Sequence, residues 1–134
     1  MRRPRILVVD SEVYIVHILE FSLAIEGYDV VTATSAADAL ALAEEEHPDL
    51  IVIDAVLAGA SDDEFAQRLV QDERLAATPL ICLYSQRDDL DLNPDLQLGA
   101  FARIPKPFSP QRLIEEIRSG LAPNESSGER AVGM

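Results

Sequence analysis

The sequence has little of what stabilises secreted or membrane-embedded proteins. Its one cysteine, Cys82, cannot form an internal disulfide, and it lies in the apolar run LICLY, which predicts a small buried side chain. No apolar stretch approaches the length of a membrane span. The start MRRPRILVVD lacks the apolar length and the cleavage pattern of a signal peptide. We therefore expect a protein of the reducing cytoplasm.

Basic residues are also scarce. The chain has 11 lysines and arginines against 24 aspartates and glutamates, a formal net charge of −13. Such a field repels phosphate backbones and anionic lipid, so direct contact with nucleic acid or membrane is not expected. The remaining composition, 48% hydrophobic and 26% charged in 134 residues, is that of a globular protein. We expect one domain at residues 1–121 and a flexible tail or truncated linker at 122–134, where no periodic apolar face remains.

Five short apolar runs alternate with segments of helical character. They lie at residues 5–10, 28–33, 49–54, 79–84 and 100–104. Continuous apolar runs are typical of parallel strands that helices cover on both faces. The sequence therefore predicts an α/β fold with a doubly wound, five-stranded parallel sheet in the strand order 2-1-3-4-5.

The segments between the runs carry helix-end signals. Serine caps predict helix starts at Ser35, Ser61 and Ser109. The first helix, 12–26, should end at Gly27. Its apolar residues are expected on one broad inward side: Ile15, Ile18, Leu19 and Phe21 to Ile25. Pro94 predicts that the fourth helix is short and begins at Asn93.

Two acids close neighbouring strands of the predicted sheet. Asp10 ends the first run and Asp54 ends the third, so both carboxylates should meet at the carboxyl edge of the sheet, within reach of Lys106. Two anions at such an edge need a cation, either an ammonium group or a divalent metal. This site suits phosphoryl chemistry on an aspartate. A simpler explanation is that both acids only terminate strands, but it leaves Lys106, between two prolines, unexplained.

Several motifs in this order resemble the receiver domain of bacterial two-component response regulators, over about residues 4 to 121. They are ILVVDSE, PDLIVID ending in Asp54, Gly59 with Glu64 after it, TPLICLYS, LGA at 98–100 and KPF at 106–108. The resemblance implies a flavodoxin-like receiver fold and a role in phosphorelay signalling. It also implies a cis peptide bond between Lys106 and Pro107.

The resemblance assigns expected roles to individual residues. Asp54 looks like the phosphoacceptor, which takes a phosphoryl group from a histidine kinase or a phosphotransfer protein. Asp10, Asp54 and the backbone carbonyl of Val56 look like ligands for Mg²⁺, and Lys106 looks like the lysine that contacts the phosphoryl group. Output would pass to a downstream protein partner or effector domain. The sequence leaves open whether the chain forms a homodimer.

The chain departs from the family pattern at positions close to the site. Ser11 replaces the second acid of the metal pair, so we expect Mg²⁺ binding to be weakened or lost. Glu12 should not replace that acid, because a residue one step along the chain points elsewhere. Tyr84 replaces the small hydroxyl residue at the end of the fourth strand, and Arg103 replaces an aromatic switch residue. Together these departures indicate an atypical receiver domain.

Two other interpretations remain open at this stage. The chain could be a pseudo-receiver that binds its partner independently of phosphorylation. The more remote alternative is a phosphohydrolase of the haloacid-dehalogenase type, with Asp10 of VVDSEV as its nucleophile. That enzyme would need a late acidic pair and a cap for its substrate, and this short chain supplies neither.

Overall fold

Five parallel strands form one sheet. The computed structural model describes residues 3–55, 57, 68, 71–85 and 102–122. Its strands are β1 (Arg5–Val9), β2 (Asp29–Ala33), β3 (Leu50–Asp54), β4 (Leu80–Ser85) and β5 (Ala102–Lys106). They are ordered β2-β1-β3-β4-β5, and every neighbouring pair is parallel. The predicted fold class and strand order are confirmed.

Four helices are described along these strands. They are α1 (Val13–Ile25), α2 (Ala36–Glu46), the short α3 (Glu73–Ala76) and α4 (Pro110–Gly120). The serine caps of α2 and α4 form as predicted, because Ser35 accepts a hydrogen bond from the Asp38 amide at 3.2 Å and Ser109 accepts one from the Arg112 amide at 3.1 Å. Gly27 follows α1 with φ +98°, which confirms the predicted left-handed end.

The sheet separates two hydrophobic clusters, because successive residues of a strand point to opposite faces. One, the α2-side cluster, includes Leu7, Val9, Ile51, Ile53, Leu80 and Cys82 with the apolar side of α2. The other, the α1–α4-side cluster, includes Ile6, Val8, Leu50, Val52, Ile81, Leu83 and Ile104 with residues of α1 and α4. Cys82 is fully buried, as its apolar surroundings in the sequence predict.

The prediction for the inward side of α1 is partly wrong. Leu19 and Leu23 are buried as expected, and Val16 joins them. Three residues predicted to face inward, Ile18, Phe21 and Ile25, instead lie on the solvent side, with exposed fractions of 49%, 69% and 67%, and Tyr14 on the same helix is 61% exposed. We call these four residues the α1 stripe. The helix is apolar on most of its circumference, and the sheet covers only one side of it.

One helix was not predicted from the sequence, and three predicted segments lie outside the described residues. The patterns missed α3, which begins where the Asp72 carboxylate accepts hydrogen bonds from the amides of Arg74 and Leu75. The helices predicted to start at Ser61 and Asn93 lie outside the described residues, as does the tail beyond residue 122. Within the described part of the chain, no helix has both the length and the apolar character to span a membrane.

Candidate functional site

The carboxyl ends of β1, β3 and β5 bring three side chains together. Asp54 and Lys106 are the last residues of β3 and β5, while Asp10 follows β1 directly and continues its pairing through a 3.2 Å bond from its amide to the Ala33 carbonyl. Each of these three residues comes two positions after a residue of the α1–α4-side cluster. The corresponding cluster residues are Val8, Val52 and Ile104, respectively for Asp10, Asp54 and Lys106. Strand alternation therefore directs all three side chains to the same face of the sheet.

Lys106 is the centre of the site. Its Nζ lies 2.8 Å from Asp10 Oδ2 and 2.8 Å from Asp54 Oδ1. A third carboxylate, that of Glu12, comes within 3.5 Å of the same nitrogen. The close approach of Asp10, Asp54 and Lys106 agrees with the expectation from strand order. The expectation that Glu12 points elsewhere is wrong. By Glu12 strand β1 has ended and the turn into α1 has begun, so strand alternation no longer sets the direction of its side chain.

Backbone amides orient the two aspartates. The Glu12 amide donates to Asp10 Oδ1 at 2.9 Å, and the Leu57 amide donates to Asp54 Oδ2 at 3.3 Å. Asp10 Oδ2 is buried and has no partner in hydrogen-bond geometry among the described residues, although it forms the ion pair with Lys106. Side-chain exposure rises from 0% for Asp10 to 48% for Glu12, so the site opens to solvent on the Glu12 side.

Burial and charge shift two pKa values in the site. Burial raises the pKa of Asp10, and the adjacent Lys106 ammonium group and the Glu12 amide offset only part of that effect. Burial alone would lower the pKa of Lys106, but the carboxylates of Asp10 and Asp54, each 2.8 Å from its Nζ, outweigh burial and raise that pKa above its ordinary range. Lys106 is therefore a permanent cation at neutral pH.

The donor set has the chemistry that a hard divalent cation requires. Asp10, Glu12 and Asp54 offer carboxylate oxygens, which Mg²⁺ prefers. At present these oxygens surround the Lys106 ammonium. Within the described ranges, no three Asp, Glu, His or Cys side chains already form a group that could hold a metal ion. A cation would therefore have to share these oxygens with Lys106.

The other predicted site positions lie around this centre or outside the described residues. Ser11 is exposed, Tyr84 is half-buried and pairs across the sheet with Pro105, and Arg103 is exposed on β5. Val56, the expected carbonyl ligand, lies outside the described residues. The peptide bond between Lys106 and Pro107 is cis.

A groove of about 250 Å³ adjoins Lys106. Its lining includes Tyr14 and Ile18 of α1 together with Pro107 and Phe108. The groove therefore joins the charged site to one end of the α1 stripe. A partner that reaches the site from this side would meet apolar surface first.

Comparison with known proteins places these features in a family. Residues 6–118 match the family model described as the response regulator receiver domain. The chain is similar to the probable transcriptional regulator ycf27 of Porphyridium aerugineum, with 39% identity over 90% of this chain and 49% of that protein. It is also similar to the alkaline phosphatase synthesis transcriptional regulatory protein PhoP of Bacillus subtilis, with 37% identity over 90% of this chain and 50% of that protein.

A solved structure has the same architecture. The chemotaxis response regulator CheY4 of Vibrio cholerae superposes with a TM-score of 0.77 at 25% identity, over 89% of this chain and 99% of that one. The chain spans about half the length of the two transcriptional regulators that it matches. The similarity to them therefore concerns one part of those proteins.

Proposed function

The chain belongs to the response regulator receiver family and is a signal-transduction domain, and we propose that Asp54 is the residue that accepts its phosphoryl group. The observation that carries this proposal is the position of the Asp54 carboxylate at the carboxyl edge of β3, 2.8 Å from Lys106 Nζ. Asp10 is equally close to that ammonium group, but its side chain is fully buried, whereas that of Asp54 is 10% exposed. Asp54 is thus the more accessible nucleophile.

The proposed reaction is a transfer between two side chains. An Asp54 carboxylate oxygen forms a bond to phosphorus while the phosphorus–nitrogen bond of a phosphohistidine in the partner breaks, and the nitrogen keeps the electron pair. Lys106 is a fixed positive charge beside the attacked group and stabilises the phosphoryl oxygens, as lysine does in other phosphate sites. The Leu57 amide holds the second Asp54 oxygen and so fixes the orientation of the carboxylate.

Family membership also implies a magnesium ion at this site. Asp10 and Asp54 would hold it, together with the carbonyl of Val56. When bound, Mg²⁺ would neutralise negative charge on the phosphoryl oxygens. The family position filled by Ser11 lacks its usual carboxylate, so we propose that any metal binding here depends on the remaining acids.

The partners follow from the same chemistry. We propose that a histidine kinase or a phosphotransfer protein donates the phosphoryl group, and that it approaches over the groove between α1 and Phe108. We further propose that a downstream protein or an effector domain reads the phosphorylated state, since two relatives of about twice this length are named as transcriptional regulators.

Intact-mass spectrometry tests the assignment of Asp54. The protein is incubated with a small phosphodonor and Mg²⁺, alongside Asp54→Ala and a control, Asp38→Asn, which removes an exposed carboxylate at the first turn of α2. We expect one added phosphoryl group on the parent and on Asp38→Asn, and none on Asp54→Ala. If the parent gains no phosphoryl group, and binding of its partner is unchanged in Asp54→Ala, the domain signals without phosphorylation and the proposal is wrong.

A further inference from the structure

The side chain of Glu12 makes an unusual contact for a residue at the start of a helix. It is the N-cap of α1, yet its carboxylate makes no capping hydrogen bond. Capping is the ordinary role of an acidic side chain at this position. Its Oε1 instead lies 3.5 Å from Lys106 Nζ, while its backbone amide orients Asp10 at 2.9 Å. Glu12 therefore faces the site with both its side chain and its amide.

The charges around Lys106 do not balance. Asp10, Glu12 and Asp54 carry three negative charges when ionised, and Lys106 supplies one positive charge, so the group has a net charge of −2. Without Glu12 the net charge would be −1. With Glu12 included, two negative charges are left without a cation among these four groups. A divalent cation would bring the total to zero.

We propose that Glu12 supplies the third negative charge through which this pocket holds a divalent cation, in place of the acid that is missing at Ser11. The inference rests on the proposed function, because phosphoryl transfer to Asp54 is what would use that cation. Ser11 contributes no charge, and Glu12 lies one residue further on, at the half-exposed mouth of the site. The turn from β1 into α1 brings Glu12 back to the pocket.

Isothermal titration of the unphosphorylated protein with MgCl₂ measures this contribution directly. Glu12→Gln keeps the size of the side chain and removes its charge, and Glu20→Gln makes the same change at another exposed acid of α1. Removing a supporting carboxylate commonly weakens a metal site by 10- to 100-fold, so we expect Glu12→Gln to raise the Kd about tenfold. The Kd of Glu20→Gln should stay within about twofold of the parent, because solvent and salt screen that charge.

A double variant tests whether Glu12 takes the place of the missing acid. Ser11→Asp combined with Glu12→Gln restores the number of carboxylates, and we expect its Kd to return to within about threefold of the parent. Circular dichroism checks that each variant is folded. Because the Glu12 side chain makes no capping bond, Glu12→Gln should not loosen α1.

Three results would overturn the inference. They are a parent that does not bind Mg²⁺, a Glu12→Gln variant with the parent's Kd, and a double variant as weak as Glu12→Gln alone. The first two would mean that Glu12 only pairs with Lys106. The titration uses no phosphodonor, so its outcome is independent of the mass-spectrometry test. A parent that binds Mg²⁺ through Glu12 but gains no phosphoryl group would refute the proposed function and leave this inference standing.

Discussion

Replacing Lys106 by methionine should strongly destabilise the protein at neutral pH. The ammonium group lies 2.8 Å from an oxygen of each of two buried or nearly buried aspartates. At that distance each pair is worth about 6 kcal/mol of Coulomb attraction at an effective dielectric constant of about 20, before desolvation is subtracted. Desolvation cancels much of this, and removing one partner of a buried ion pair typically costs about 3–5 kcal/mol. We expect Lys106→Met to lower the free energy of unfolding by that amount.

Urea denaturation followed by circular dichroism at pH 7 provides the measurement, with Arg118→Gln as the matched control. Arg118 pairs with Glu26 at 3.0 Å, but the two side chains are 58% and 34% exposed. Both substitutions remove one positive charge from a chain of net charge −13, so the effect of overall charge is the same in each. An exposed pair contributes at most about 1 kcal/mol, so the control should lose far less stability.

The pH dependence gives a second check on the same variant. Burial raises the pKa of Asp10 in the folded protein, so protonating it favours the folded state as the pH falls toward its ordinary range near 4. In Lys106→Met the buried Asp10 carboxylate lacks its cation, so its protonation should stabilise the folded state even more than in the parent. The stability difference from the parent should therefore shrink between about pH 7 and pH 4.

The raised pKa of Lys106 acts at the other end of the pH scale. Its stabilising effect should be present throughout the neutral range and should be lost only as strong alkali deprotonates the ammonium group in the folded protein. Two results would refute the reasoning. One is a loss at pH 7 no larger than that of Arg118→Gln, and the other is a stability difference that grows on acidification.

Three further tests by urea denaturation address the packing of α1 and the ends of two helices. Leu23→Ala should lose about 2–5 kcal/mol because the side chain is fully buried, whereas Ile25→Ala, 67% exposed on the same helix, should lose less than about 1 kcal/mol; equal losses would contradict the assignment of the buried side. Gly27→Ala should cost about 1–2 kcal/mol at φ +98° although the added methyl group meets no atom within 4 Å, and an unchanged midpoint would argue against that backbone conformation. Ser109→Ala should cost about 1 kcal/mol through loss of the bond from the Arg112 amide, and its replacement by aspartate should restore most of that stability if capping is the cause.

The sheet and the centre of the site were accessible from the sequence because they depend on strong local patterns. Aliphatic runs buried on both faces identify parallel strands, and β3, with all five of its residues buried, is the clearest case. Once the strand order is known, residues at the carboxyl ends of β1, β3 and β5 must meet at one edge of the sheet. The sequence alone therefore predicts that Asp10, Asp54 and Lys106 lie together.

Directions of individual side chains on α1 could not be predicted in the same way. The segment VYIVHILEFSLAI is apolar on most of its circumference, so its periodicity does not identify the side that faces the sheet. The direction of Glu12 depends on where β1 ends. The chain leaves the strand after Val9, and Glu12 then follows helix geometry. The short α3 was missed because four residues are too few to produce a periodic pattern.

The α1 stripe also affects how molecules of this protein interact with each other in solution. An excess of thirteen negative charges keeps copies apart through a repulsion that extends over roughly 10 Å at 0.1 M salt and about 3 Å at 1 M. Attraction between apolar side chains acts only at contact, so it matters only after that repulsion has been screened. Ionic strength therefore controls how often two molecules approach closely enough for Phe21 of one to contact the other. We therefore expect copies of this acidic protein to self-associate in concentrated salt and to remain monodisperse in dilute buffer.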